Sequence, residues 1–178
     1  MFRHGGPTLF ALIREDLTTQ REGIFAQGFW ALLFYRIAHR RMASRYRIVR
    51  IPWRALNIVL QIVSEMFFGI SLPESTAVGR RVRIEHFGGI VIHGCARIGD
   101  GCVIRQGVTI GNKGSSDPLG APILGQNVDV GAGAKILGRI VIGDGAVIGA
   151  NAVVIRDVPA NCMAVGVPAV SRTIREVA

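Results

Sequence analysis

The segment Glu85-His86-Phe87-Gly88-Gly89 places an ionisable ring beside an acid and two glycines. An imidazole titrates near neutral pH, so His86 could take a proton from an attacking hydroxyl. The alternative for an isolated histidine is a packed ring without a chemical role. His93 follows seven residues later, but a metal site needs three or four ligands, and His4 and His39 belong to a different part of the chain. We therefore expect no metal at this segment.

The chain around this segment repeats with a period of six residues. Apolar residues recur at that interval late in the chain, at Leu124, Val130, Ile136, Ile142, Ile148 and Val154. A second apolar residue follows each by four positions, at Val128, Ala134, Ile140, Ala146, Ala152 and Val158. A period of six is compatible with the strand period of two and not with the helical period of 3.6. Each hexad therefore predicts one short strand and one corner, and their stack predicts a parallel β-helix.

The repeat is irregular at two places. It begins weakly with Leu72, Val78 and Ile84. It then slips by two residues inside the segment that contains His86. A second break follows Ile110, because fourteen residues separate it from Leu124. The intervening segment, 111–122, is polar and rich in glycine, so we expect it to project as a loop. A regular scaffold gives no reason for either break, and both are therefore candidate functional positions.

The N-terminal third of the chain is predicted to be helical. Residues 8–22 have apolar side chains at helical spacing, and residues 29–42 predict a second helix with little polar surface. Pro52 suits the first turn of a third helix, which Gly69 ends. After Pro168 a short helical tail is expected. The predicted organisation is a helical region over 1–70, a β-helix over 71–172 with a loop at 111–122, and a tail over 173–178.

Composition favours a cytoplasmic protein with a substantial core. Hydrophobic residues make up 49% of the chain. The longest apolar run, 55–72, is too interrupted for the ~20 clean residues of a membrane span, and no secretory signal is expected at the N-terminus. The three cysteines lie in or beside the repeat, at Cys95, Cys102 and Cys162. Their odd number fits small buried thiols better than a disulfide framework or a zinc site.

The net charge of +9 is concentrated near the N-terminus. Residues 1–60 contain ten arginines and three acids, whereas the rest of the chain contains eleven basic and nine acidic residues. Such a region could contact nucleic acid or anionic lipid. No groove-reading or aromatic-interleaved motif accompanies the arginines. We therefore favour a solvated helical surface near a site for an anionic cofactor, and we expect no nucleic-acid partner.

Three stretches of the sequence carry a resemblance to one family. They are residues 28–32 (GFWAL) with 35–39 (YRIAH), residues 85–92 (EHFGGIVI), and residues 131–138 (GAGAKILG) with 164–169 (AVGVPA). In this order they resemble the last N-terminal helices, the histidine-containing corner and the acetyl-CoA end of the bacterial serine acetyltransferases. The resemblance extends over most of the chain.

This resemblance implies a left-handed parallel β-helix with an N-terminal helical cap, and the hand comes from the resemblance alone. It implies acetyl transfer from acetyl-CoA to a hydroxyl, a homotrimer or dimer of trimers, and cysteine synthase as a possible partner. It also implies that His86 is the catalytic base, that Glu85 assists it and contacts the acceptor, and that Asp16 meets the acceptor's amino group. The implied acetyl-CoA contacts are small residues, namely Gly111, Ala132, Ala150 and Gly166.

The sequence departs from the family on the acceptor side. The acid that orients the base is replaced by Ser71, for which Glu74 is a possible substitute. The Arg-His-Pro of the family's loop, which helps to hold serine, is replaced here by residues 120–122 (GAP). L-Serine is still the first acceptor expected, for cysteine biosynthesis. An O-acetyltransferase that acts on a sugar or polysaccharide precursor and a catalytically silent β-helix scaffold remain as alternatives.

Overall fold

The computed structural model describes residues 7–42 and 47–173, with side chains over 7–40 and 55–173. Three helices precede the β-helix, and they are α1 (Leu9–Thr19), α2 (Gln27–Met42) and α3 (Arg47–Val63). A 3-10 turn, Gly23–Phe25, precedes α2, and a π turn, Ser64–Phe68, follows α3. Gly69 ends this segment in the left-handed conformation, with φ of 62°, as the sequence predicts. Over the described residues, no helix combines the length and apolar character that crossing a membrane requires.

The third helix begins earlier than the sequence predicts. Pro52 lies five residues inside α3, which begins at Arg47. A proline is tolerated in a first helical turn, but it does not require a helix to begin there. Residues 47–51 are helical as well, although three of these five are β-branched and have a lower helix propensity than arginine.

Short strands follow the helices within the described residues. In chain order they are β1 (Ile70–Ser71), β2 (Ala77–Val78), β3 (Arg83–Glu85), β4 (Ile90–Ile92), β5 (Arg97–Ile98), β6 (Val103–Arg105), β7 (Thr109–Gly111), β8 (Ile123–Leu124), β9 (Asp129–Val130), β10 (Lys135–Leu137), β11 (Val141–Ile142), β12 (Val147–Ile148), β13 (Val153–Val154), β14 (Cys162–Gly166) and β15 (Ala169–Thr173). They form three sheets, which we name A (β1-β4-β7-β10-β13), B (β2-β5-β8-β11) and C (β3-β6-β9-β12-β14-β15). All neighbours except β14 and β15 are parallel, so the chain is a parallel β-helix of about five coils.

The coils stack in register along the predicted repeat. The paired positions of sheet C are Ile84, Ile104, Val130, Ile148 and Ala164. Those of sheet B and its last bridge are Val78, Ile98, Leu124, Ile142 and Val158. These residues belong to one apolar core or pack against it. The hexads predicted from the sequence are therefore confirmed, including the weak first ones.

The last described residues form a hairpin and not the helical tail that the sequence predicts. Strands β14 and β15 pair antiparallel, from Cys162 opposite Thr173 to Gly166 opposite Ala169. The β-branched residues between 167 and 173 favour a strand. In this position β15 covers the edge of sheet C that would otherwise be free. Residues 174–178 of the predicted tail lie outside the described part of the chain.

Helix α2 attaches the helical cap to the first coil. A Cβ atom at Gly28 would lie 2.6 Å from the carbonyl oxygen of Ile84, so glycine is required for this approach. Tyr35 is buried, and its hydroxyl donates to the Thr76 carbonyl (2.7 Å) and accepts from Val78 N (3.2 Å). Burial raises the pKa of Tyr35, which keeps the hydroxyl protonated as a donor.

Candidate functional site

The corner between β3 and β4 is two residues longer than the corner on which it stacks. The last residue of β3 pairs with the last residue of β6. A backbone bond from Gly107 N to the Gly88 carbonyl (2.9 Å) then sets Gly88 opposite Gln106. Three residue steps on the first coil therefore match one step on the second. The residues without a counterpart are His86 and Phe87, and both are exposed.

His86 has a backbone conformation that is uncommon for a residue other than glycine. Its φ is 61°, in the left-handed region, and strain of this kind recurs at functional sites. Ser71, at the position expected for the orienting acid, and its possible substitute Glu74 are both engaged elsewhere. Ser71 Oγ donates to Glu65 (2.7 Å), and Glu74 accepts from Asn57. Within the described residues, no hydrogen bond to the imidazole is formed. The ring is therefore open to a ligand.

Three arginines surround Glu85, the residue before the candidate base. The Nε atoms of Arg21, Arg83 and Arg105 lie 3.3, 2.9 and 3.1 Å from its carboxylate oxygens, and its side chain is 11% exposed. The Arg83 contact is ionic without good hydrogen-bond alignment. Arg105 also pairs with Asp129 on the next coil, and this bond raises the pKa of Arg105 above its usual value. Glu85 is therefore a fixed, heavily compensated acid.

These arginines were not among the site residues predicted from the sequence. Arg83 and Glu85 flank the buried Ile84 and therefore share the outer side of β3. Arg105 is the register partner of Glu85 one coil away. That register was the available signal, because positions paired across parallel strands present their side chains on the same face. No comparable sequence pattern indicated that Arg21, from the helical region, contacts Glu85.

Asp16 does not join this cluster. It is 1% exposed, and Arg36 Nε and Nη2 donate to its two carboxylate oxygens at 2.9 and 3.2 Å. Arg36 also donates to the carbonyl oxygens of Val78 and Gly79. This ion pair joins α1 and α2 to the first coil. This buried ion pair favours a structural role for Asp16, and its expected contact with the acceptor's amino group stays a prediction.

The residues expected to contact acetyl-CoA lie in two places. The register of sheet C places Ala132, Ala150 and Gly166 in one column, two residues after its paired positions. This column continues the edge on which His86 stands, and it advances by ~4.8 Å per coil. Gly111 lies elsewhere, at the end of β7, where the irregular segment leaves the coil. A single chain therefore brings together His86 and three of the four positions on one edge.

Residues 112–122 form the irregular loop that the sequence predicts. Asp117 pairs with Arg139 at 2.9 Å, and this hydrogen-bonded guanidinium lowers the pKa of Asp117. At the position of the family's loop histidine, Ala121 is 8% exposed and belongs to the hydrophobic core. The Gly120-Ala121 pair of this loop therefore offers no side chain that could hold an acceptor.

The remaining metal and thiol candidates do not assemble into a site. Among residues 7–42 and 47–173, no three His, Cys, Asp or Glu side chains gather closely enough to hold a metal ion. His4 lies outside these residues. Burial raises the pKa of the Cys102 thiol to about 11, which makes it unreactive at neutral pH. Cys95 is exposed and Cys162 is half-buried, and both are free thiols.

Sequence comparisons agree on one group of proteins. The model of the bacterial transferase hexapeptide family (six repeats) matches residues 121–156. A serine acetyltransferase of Helicobacter pylori (strain 26695) is 41% identical over 139 residues, which cover 78% of this chain and 77% of the relative. One of Synechococcus elongatus is 40% identical over 163 residues, which cover 89% of this chain and 64% of the relative. One of Escherichia coli K12 is 39% identical over 146 residues, with 82% and 51% covered. The chain thus spans about half to two thirds of the longer relatives.

Solved structures with the same fold include two ligand complexes. Soybean serine acetyltransferase complexed with serine has a TM-score of 0.82 and 31% identity, and it covers 94% of this chain and 70% of its own. Serine acetyltransferase of Brucella abortus strain S19 in complex with coenzyme A has a TM-score of 0.81 and 28% identity, with 91% and 66% covered.

Proposed function

The chain belongs to the serine acetyltransferase family, and on that premise we propose that it transfers an acetyl group from acetyl-CoA to the hydroxyl of L-serine. The product, O-acetylserine, would serve cysteine biosynthesis. The observation that supports this proposal most directly is the position of His86. It is inserted into the coil, exposed, and on the same edge as the column of small residues expected to contact acetyl-CoA.

In the proposed reaction, His86 takes the hydroxyl proton while the serine oxygen attacks the thioester carbonyl. A tetrahedral intermediate forms and collapses, the carbon–sulfur bond breaks, and the imidazolium returns its proton to the departing thiolate. The products are O-acetylserine and coenzyme A. Glu85 contributes by holding Arg21, Arg83 and Arg105 beside the base.

We propose that backbone groups beside Ala132, Ala150, Gly166 and Gly111 bind acetyl-CoA. Side chains this small leave the backbone of a corner accessible to a ligand. The column contains no charged residue, so the cofactor would be recognised there by shape and backbone hydrogen bonds. Gly111 would have to act from the edge of another copy of the chain.

We propose a homotrimer or a dimer of trimers as the assembly. The separation of Gly111 from the column is the first support. The second is an apolar stripe on α3 and the π turn, in which Val59, Ile62 and Met66 are exposed while Ser64, on the other side, is buried. A contiguous exposed apolar stripe favours an interface, and we assign a second copy of this chain as the partner that covers it.

Two further proposals follow from family membership. We propose a cytoplasmic location, where acetyl-CoA is available, and cysteine synthase as a partner. Co-elution of the two purified proteins on size-exclusion chromatography would support the partnership, and independent elution at micromolar concentrations would contradict it.

The proposed reaction is tested by measuring coenzyme A release with L-serine, L-homoserine and a panel of sugar acceptors. We expect release that depends on L-serine and exceeds the hydrolysis of acetyl-CoA alone. Release of coenzyme A with sugars and not with L-serine would show that the acceptor is a sugar. No release with any acceptor would favour the catalytically silent scaffold.

The second candidate, O-acetylation of a sugar or polysaccharide precursor, is favoured by one observation. The loop position at which the family resemblance implies a histidine is the buried Ala121 here, and its neighbour is glycine. The family's hold on serine through that loop is therefore absent. The same acceptor panel distinguishes the two candidates.

A further inference from the structure

A cavity of about 280 Å³ opens beside the His86 corner, between the helical cap and sheet C. His86 is part of its lining, which also contains four charged residues: Arg21, Glu22, Arg83 and Glu85. Two of these four, Arg21 and Glu22, come from the connection between α1 and α2, outside the hexad repeat. A molecule in this cavity is within reach of the candidate base.

The guanidinium of Arg21 is available to bind an anion. Its side chain is 75% exposed, and its contact is the single one from Nε to Glu85 at 3.3 Å within the described residues. Glu85 is shared by three arginines, and Asp129 compensates Arg105. These three arginines and two acids leave one positive charge uncompensated at the corner.

Glu22 is the remaining acid of this cavity. It is exposed, and over residues 7–42 and 47–173 it forms no ion pair. The cavity therefore offers a free carboxylate and an incompletely compensated guanidinium at the same place. Groups of opposite charge at one site match a zwitterion.

We propose that Arg21, supported by Arg83, binds the carboxylate of the amino-acid acceptor, and that Glu22 binds its ammonium group. An arginine can present two parallel N–H donors to a carboxylate. This assignment rests on the proposed acetyl transfer to L-serine and names the residues that select it. It transfers the selection of the acceptor from the projecting loop to the connection between α1 and α2.

This connection is held rigidly enough to position a ligand. Gln20, the residue before Arg21, is 4% exposed. Its Nε2 donates to the Val82 carbonyl (3.0 Å), and its Oε1 accepts from Ile84 N (3.1 Å). These two bonds fix the start of the connection to β3, the strand that leads into the His86 corner. Arg21 and Glu22 are therefore presented from a fixed backbone.

The test compares Arg21→Gln with the wild-type protein on two acceptors. L-Serinamide keeps the hydroxyl and the ammonium group of L-serine but lacks the carboxylate. We expect Arg21→Gln to raise KM for L-serine by roughly 10- to 150-fold, as expected for hydrogen bonds to charged groups, with kcat within about twofold. KM for L-serinamide should not change. Arg21→Lys should be intermediate, because lysine keeps the charge and loses the fork.

Arg97→Gln is the matched control. It removes the same charge from an exposed arginine on sheet B, and it should leave both constants unchanged. For Glu22→Gln, KM should rise for L-serine and stay constant for glycerate, which lacks the ammonium group. Thermal unfolding of each variant checks that it is folded. We expect both variants to fold, because the side chains of Arg21 and Glu22 are exposed.

An unchanged KM for L-serine in Arg21→Gln, or an equal rise for L-serine and L-serinamide, would overturn the carboxylate contact and leave the proposed function intact. A wild-type protein that shows no L-serine-dependent release of coenzyme A would overturn the proposed function, and this assignment with it.

Discussion

The column from Ala132 to Gly166 and the corner at His86 occupy the same edge of the β-helix, yet they are built in opposite ways. The column consists of small residues that recur in register, with no charged side chain among them. The corner contains two inserted residues, one of them at positive φ, and an acid surrounded by three arginines. The hexad repeat alone therefore builds a surface of accessible backbone. A cluster of charged side chains beside His86 requires an interruption of the repeat.

The second difference is the origin of the residues. All three column positions come from the coils themselves. The charged wall at the corner includes Arg21 and Glu22 from the helical cap, which is attached to the first coil by Gly28 and Gln20. We therefore expect that changes in the cap alter the choice of acceptor without disturbing the proposed acetyl-CoA column.

The largest effect is expected from His86→Ala. The variant should lose the general base and keep the proposed acetyl-CoA site, so turnover should fall by roughly 10²–10⁴ while acetyl-CoA binding persists. Steady-state coenzyme A release and calorimetric titration measure the two quantities. His93→Ala is the control. Near-normal turnover of a folded His86→Ala protein would remove the corner from the chemistry.

Asp16→Ala should act on stability. Removing one partner of a buried ion pair costs about 3–5 kcal/mol, because Arg36 would remain buried without its carboxylate. Urea denaturation followed by circular dichroism measures the loss. Glu15→Ala, which breaks an exposed contact with Arg80, should have a much smaller effect. Unchanged stability with a raised KM for L-serine would instead return Asp16 to the acceptor site.

Ile62→Glu should test whether the column needs a neighbouring copy. Burial of an isoleucine contributes about 1.5–3 kcal/mol, and a carboxylate at an apolar interface adds a desolvation cost. We expect the trimer to dissociate on dilution and acetyl-CoA binding to weaken with it, as measured by light scattering and calorimetry. Phe10→Glu, at an exposed position of α1, is the control. A stable, fully active wild-type monomer would contradict the assembly.

Ala132→Leu should affect the column alone. Extra methyl groups on a corner that a ligand must approach closely should cost about 1–3 kcal/mol, which corresponds to a rise of roughly 5- to 150-fold in KM for acetyl-CoA. KM for L-serine should stay constant. Ala77→Leu, on the exposed side of sheet B, serves as the control. An unchanged KM for acetyl-CoA would place the donor elsewhere.

The sequence predicts the parts of the fold that depend on local pattern. The hexads from Leu124 to Val158 fixed the register of the later coils, because an apolar residue every six positions has one stable arrangement. The helix end at Gly69 follows from a local left-handed turn. Two predictions were wrong, namely the start of α3 and the helical tail after Pro168. Pro52 permits more than one helix start, and β15 depends on a free sheet edge that no local pattern reveals.

The site shows the same division. His86 could be found because it interrupts a strict repeat. Arg83 and Arg105 could have been found beside Glu85 from strand alternation and from the register of β3 and β6. Arg21 could not, because it reaches Glu85 only through the docking of the helical cap. The role of Asp16 at the acceptor was expected from the family resemblance alone, and no local pattern reveals its burial against Arg36, which depends on the packing of α1 on α2.

The most direct test is a matrix of initial rates over acetyl-CoA and L-serine for the wild type, Ala132→Leu and Arg21→Gln. If the column binds the donor and the corner selects the acceptor, Ala132→Leu raises only KM for acetyl-CoA and Arg21→Gln raises only KM for L-serine. A wild-type rate that does not depend on L-serine, or two variants that raise the same constant, would contradict this division of the edge.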